Sequence, residues 1–188
     1  MRKIVCSIAV LALLAFVSAA TAEEIKSGLE SGERIGAFNV TKLAGADEDG
    51  VEVGKNLCYR CKNGGRPQVL IFTRSSDEKV VSLVKELDAA ITKNSDKELC
   101  AFVNYIGEDK SSATEDAKKL AKSTGAKNVP FVLPNEFENG PDNYGINAKA
   151  DVTILLVEGG TVVANHAYQS GKEVEVDAVI GDLSKILK

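Results

Sequence analysis

The residues of this chain best suited to chemistry are Cys58-Tyr59-Arg60-Cys61, two cysteines three apart. At that spacing two thiols can open and close a disulfide, supply half of a metal site, or anchor a haem. If the chain turns between them, they reach the roughly 4.4–6.8 Å Cα separation a disulfide needs. Arg60 between the cysteines and Lys62 beside them bring positive charge, which favours a thiolate over a thiol. Gly64-Gly65 just beyond lets another backbone approach closely. A structural clip that pins a loop would use the same features. Thiol–disulfide exchange and a purely structural bond are both open.

The metal reading needs two more ligands, and Cys100 and His166 are the soft side chains available for it. Cys100 lies in an apolar run and reads as a small buried core residue. His166 alternates with Val162, Ala164 and Tyr168, as a satisfied residue on a strand face would. Haem attachment wants a histidine directly after the second cysteine, where Lys62 stands. We therefore expect no metal and no cofactor. The acidic stretch 135–142 lacks the periodic Asp/Asn ladder of a calcium loop and reads as a solvated loop. Ser75, Ser76 and Asp77 suit an anion at a helix start, although helix capping explains them equally. His166 is the sole histidine, and nothing marks partners for a Ser-His-Asp arrangement.

The compartment bears directly on a cysteine pair. Arg2-Lys3 opens the chain, residues 4–17 are almost unbroken apolar, and Ala20-Thr21-Ala22 precedes Glu23-Glu24. Basic, apolar and then small residues make a secretory signal peptide. The apolar run is shorter than the ~20 residues a spanning helix needs. The reading divides the chain into a signal peptide over 1–22, a loose arm over 23–34 and one domain over 35–188. The mature protein is expected in the periplasm or outside the cell, with no membrane anchor. Losing Arg2 and Lys3 takes the 23 basic residues to 21 against 27 acidic ones, a net charge of −6. That balance, with no Lys/Arg cluster, argues against nucleic acid or an anionic membrane as partner. Of four cysteines, Cys58, Cys61 and Cys100 remain. In an oxidising compartment the first two are expected to be bonded, leaving Cys100 over.

The elements that must position the pair follow from periodicity. Residues 38–43 alternate like a half-buried strand, and 44–55 is a Gly- and acid-rich loop. After the cysteines, Gly64-Gly65-Arg66-Pro67 breaks the chain before Gln68-Val69-Leu70-Ile71-Phe72, a buried strand. Ser75 with Glu78 predicts a helix through a capping box, and Val80, Val84, Leu87 and Ile91 give it one apolar face. Residues 99–106 form a second strand. Ser112 with Glu115 starts another helix, which ends at Gly125. Residues 129–133 form a third strand, followed by a long loop with a helical turn near Tyr144. Residues 152–157 and 161–166 are strands joined at Gly159-Gly160. An amphipathic helix closes the chain.

Strands alternating with helices predict a mainly parallel sheet, to which the terminal hairpin adds antiparallel strands. This order resembles the thioredoxin-like fold, an α/β three-layer arrangement with a central mixed sheet and helices on both faces. The extra N-terminal strand near Phe38 resembles the peroxiredoxin-like branch, as does Asp142-Asn143-Tyr144-Gly145-Ile146. Leu57-Cys58-Tyr59-Arg60-Cys61-Lys62 followed by Gly64-Gly65-Arg66-Pro67 resembles a group of secreted bacterial thioredoxin-like proteins. The resemblance implies a thiol–disulfide oxidoreductase working on a protein dithiol or disulfide. In such enzymes the cysteines follow the first core strand, where this chain has Thr73-Arg74-Ser75-Ser76-Asp77-Glu78. A cis-proline before the hairpin is also usual, and Ala150-Asp151-Val152 holds none. The pair precedes the strand instead, so it is expected at the opposite end of the sheet. If it exchanges disulfides, Cys58, as the member expected to be more exposed, attacks and Cys61 resolves. The alternative is a non-catalytic interaction module clipped by a Cys58–Cys61 bond.

Overall fold

Three buried runs make the parallel centre of the molecule: β3 (Gln68–Thr73), β4 (Cys100–Tyr105) and β5 (Phe131–Pro134). Every residue of β3 is buried, so both its faces are covered and its sequence is a continuous apolar run rather than an alternation. The computed structural model describes residues 25–188; the expected signal peptide, 1–22, lies outside the described residues. Helix α2 (Glu78–Lys93) links β3 to β4, and α3 (Lys110–Thr124) links β4 to β5. Two successive parallel crossovers of the same hand place both helices on one face. There Val80, Leu83, Val84, Leu87, Ala117 and Leu120 pack on Val69, Ile71 and Val103, and α4 (Val176–Asp182) adds Val179.

The sheet has seven strands in the order β2-β1-β5-β4-β3-β6-β7, with β1 Val40–Ala44, β2 Asn56–Leu57, β6 Val152–Glu158 and β7 Thr161–Tyr168. Only the β3·β4 and β4·β5 pairings are parallel. The other four are antiparallel, so the sheet is mixed, as expected, with more antiparallel pairings than the strand–helix alternation by itself suggests. After β5 the chain returns across the other face through residues 135–151, a path without a long helix. It delivers β6 antiparallel beside β3. That second face is covered by a short helix α1 (Tyr59–Asn63), by a 3-10 turn at Asp142–Tyr144 and by the segment that enters β1. Its core is aromatic: Phe38 lies 6.0 Å from Phe72, 6.1 Å from Phe102 and 5.0 Å from Tyr144 between ring centroids.

Several boundaries differ from the sequence reading for local reasons. Helix α2 begins at Glu78 behind Asp77, not at a Ser75/Glu78 box. Ser75 Oγ donates to Asp77 Oδ2 at 2.8 Å and accepts from the Asp77 N–H at 3.1 Å, which makes a tight turn instead. Helix α3 is capped by Asp109, whose carboxylate accepts the Ser112 N–H at 2.8 Å. The acidic oxygen three residues earlier takes the role assigned to Ser112. Opposite Leu156 and Val157 of β6 the register shifts, and β7 passes from Ala164 to Val162 with Val163 left over as a bulge. Val162 therefore packs with the α1 side while Ala164 packs with the helical side, which breaks their expected shared face.

The N-terminal arm is fastened rather than loose. Gly32 N–H donates to Val162 O, and Val162 N–H donates to Glu33 O, both at 2.8 Å. Ser27 Oγ shares a 2.6 Å hydrogen bond with Thr153 Oγ1 inside the protein. No helix among the described residues is long and apolar enough to cross a membrane.

Candidate functional site: a displaced disulfide on a short helix

Cys58 and Cys61 are disulfide-bonded, with their Cα atoms 5.2 Å apart. Cys58 stands immediately before α1, and its Sγ accepts the Cys61 N–H at 3.1 Å. Helix α1 has five residues, so its phase is set by its one inward pair. Tyr59 and Asn63, four apart, are both buried. Tyr59 stacks on Phe102 at 5.8 Å, and Asn63 faces Gln68 at the start of β3. With those two inward, Cys61 points out. Cys61 is exposed while Cys58 is partly covered, the reverse of the sequence expectation. A three-residue separation closes a small loop, so replacing both cysteines by serine is expected to cost about 2 kcal/mol, read from equilibrium denaturation.

Charge around the pair is also redistributed. Arg60 leans across to the β6–β7 turn, where its guanidinium would crowd a side chain at Gly160. Its positive charge reaches Tyr144, where it opposes the upward push of burial on that hydroxyl's pKa. Lys62, next to Cys61 in the chain, is exposed.

The shelf beneath α1 is held by a group that sequence reading missed. Lys42 is 1 % exposed. Its ammonium donates to Ala46 O at 2.9 Å, Val51 O at 2.8 Å and Asp49 Oδ1 at 2.8 Å, which uses all three protons. Asp49 Oδ2 accepts the Tyr59 hydroxyl at 2.6 Å. The chain Lys42–Asp49–Tyr59 thus ties β1 and the 44–55 loop to the second residue of the cysteine motif. Burial by itself would raise the Asp49 carboxyl's pKa. Hydrogen bonds from Lys42, Tyr59 and the Val51 N–H, with the Lys42 charge, hold it below its ordinary value. Burial, and then Asp49, drives the Tyr59 hydroxyl upward. The available signal was periodicity: Lys42 shares the inward parity of Phe38 and Val40.

The corner after β3 is closed. Thr73 Oγ1 donates to Ser75 O at 2.9 Å and accepts the Ser75 N–H at 3.0 Å, and Tyr105 hydroxyl donates to Arg74 O at 3.2 Å. The turn at Gly171–Glu173 lies over it so tightly that a Cβ at Gly171 would collide with Ser75 Oγ. Gly171→Ala is accordingly expected to destabilise by about 1–3 kcal/mol, with the shift in unfolding midpoint as the measurement. Arg74 N–H donates to Asp151 O at 2.8 Å, and the described residues contain no cis peptide bond. Gln68 Nε2 donates to Gly64 O at 3.2 Å, so α1 ends beside the beginning of β3. The disulfide and this corner are separated by the six-residue length of β3, about 20 Å.

No protein-family model matches the chain, and no curated protein matches it in sequence. Solved structures do. A putative thiol:disulfide interchange protein DsbE from Chlorobium tepidum superposes with a TM-score of 0.60 at 16% identity, covering 85% of this chain and 99% of that one. The thioredoxin domain of a thiol-disulfide oxidoreductase from Bacteroides vulgatus gives 0.62 at 16% identity, with the same coverages of 85% and 99%. This chain has the thioredoxin-like fold. AhpC from Mycobacterium tuberculosis matches at 0.59 and 16% identity, over 85% of this chain and 99% of that one. Thiol-disulfide oxidoreductases and an AhpC are thus both among the proteins that share this fold. Ahead of the core, β1 pairs antiparallel with β5, and the Asp142–Tyr144 turn is fixed by its Tyr144 hydroxyl, which donates to Gly36 O at 2.8 Å.

The remaining sequence candidates are not brought together. Cys100 begins β4 on the α1 face, partly buried and outside the core, with its thiol donating to Glu98 O at 3.2 Å. Burial pushes that thiol's pKa up, partly countered by Arg66 and Lys62. His166 lies on β7, three strands away, facing α4 on the opposite side, with Nε2 3.1 Å from Asp182 Oδ2. Asp182 also pairs with Lys185 at 2.8 Å. Among the described residues no three His, Cys, Asp or Glu side chains gather as metal ligands. The 135–142 loop is held by a cation of the protein itself: the Arg74 guanidinium donates to Glu138 O at 2.7 Å and Asn139 Oδ1 at 2.8 Å.

Proposed function

We propose that this thioredoxin-like protein is exported and exchanges disulfides with a protein partner through Cys58 and Cys61. The observation that carries the reading is the pair's setting. An exposed cysteine sits on a short helix whose underside is locked by Tyr59. A clip that only stabilised the fold gains nothing from such exposure, whereas exchange requires an accessible sulfur and a firm support. The leader at residues 1–22 supports a periplasmic or extracellular site of action, where a dithiol can be held oxidised.

The test is the reduction potential of the mature protein. Exchange predicts a value above about −270 mV, and a structural bond a value below about −300 mV. In a disulfide-reduction assay, Cys58→Ser should abolish turnover. A bond resistant to reduction, with activity unchanged in that variant, would overturn the reading. A second reading is favoured by the closed, cysteine-free corner beneath Gly171: a non-catalytic interaction module with Cys58–Cys61 as a structural disulfide. The same potential measurement separates the two.

A further inference from the structure

We infer that the disulfide is opened from its second sulfur: a partner thiolate attacks Cys61, and Cys58 is the leaving and resolving thiolate. This rests on the exchange reading above and reverses the order of roles that sequence position suggests.

Access comes first. An incoming thiolate must approach along the S–S axis from the far side of the sulfur it attacks, which favours the exposed residue. Cys61 is exposed and Cys58 partly covered, because Tyr59 and Asn63 fix the face of α1 that points inward. Stabilisation of the leaving group comes second. Cys58 Sγ already accepts the Cys61 N–H at 3.1 Å, a donor in place before any bond breaks. Charge building on that sulfur is met without reorganisation. The Arg60 guanidinium is turned away toward Gly160, so the backbone donor carries this stabilisation. A better-stabilised thiolate leaves faster.

The step balances. The attacking thiolate's electron pair forms a bond to Cys61 Sγ, the Cys58–Cys61 bond breaks, and its pair remains on Cys58 Sγ. The partner's second thiolate then attacks the partner's own sulfur in the mixed disulfide. That forms the partner's disulfide and releases Cys61 as a thiolate. The partner loses two electrons and this protein gains them, ending as a dithiol. In the reverse direction Cys61 attacks a disulfide and Cys58 resolves it.

The test uses the oxidised wild-type protein and glutathione. Brief reaction is quenched with N-ethylmaleimide, and peptide mass spectrometry reads which cysteine carries glutathione and which carries maleimide. Glutathione on Cys61 with maleimide on Cys58 is expected to exceed the opposite pattern by about tenfold. Glutathione mainly on Cys58, an even split, or no adduct on either residue overturns the inference. The exchange reading fails separately, on a potential below about −300 mV, and a Cys61-dominated pattern would still stand beside that result.

Discussion

Lys42→Met is expected to destabilise the protein by about 3–5 kcal/mol, measured by equilibrium denaturation. Methionine fills the volume but strips a donor from Asp49 Oδ1 and from the Ala46 and Val51 carbonyls, all of which Lys42 now satisfies. The cost comes from leaving buried acceptors unpaired, not from the loss of an attractive pair. Lys42→Met with Asp49→Asn should therefore recover part of the loss. If the single variant unfolds like wild type, Lys42 does not hold the 44–55 loop. The same network gives a pH dependence with a definite sign. The Asp49 carboxyl titrates below its ordinary value in the folded protein. Its contribution is then present above the unfolded-state value near 4 and is lost as pH falls through the depressed folded value. Wild type should lose more stability than Asp49→Asn on acidification below about pH 4.

Phe102→Ala should be comparably severe, at about 3–5 kcal/mol. Phe102 is fully buried, with Tyr59 stacked at 5.8 Å and Phe38 at 6.1 Å. Removing its ring leaves a cavity directly under α1, so the loss reaches the disulfide as well as global stability. Reduction of the bond by glutathione is expected to quicken severalfold, followed by trapping of free thiols. Phe102→Leu keeps most of the volume and should cost less than about 1.5 kcal/mol. A Phe102→Ala variant of unchanged stability and reduction rate would show that α1 does not depend on this shelf.

Much of the fold was legible because its signals are local. The β-branched run of β3, the αL glycine ending α3 (Gly125, φ 63°) and the Gly159-Gly160 hairpin each depend on neighbours in the chain. Where reading failed, a competing interaction was nearby or distant. Asp109 displaced Ser112 as a cap, and Ser75 was absorbed by a turn with Asp77. The bulge in β7 moved Val162 to the other face.

For the site, residue order alone set out the two cysteines, their ability to bond, and their place ahead of β3, since order along the chain dictates which end of a parallel strand they reach. How the pair is presented came from contacts across the fold. Which sulfur faces solvent depends on the phase of α1, set by Tyr59 meeting Phe102, two residues far apart in the chain. Whether the pair stands on firm ground depends on Lys42 and Asp49, and whether the usual corner is open depends on Gly171 closing over Ser75. These are contacts between distant segments, and their energies exist only once the sheet has brought those segments together.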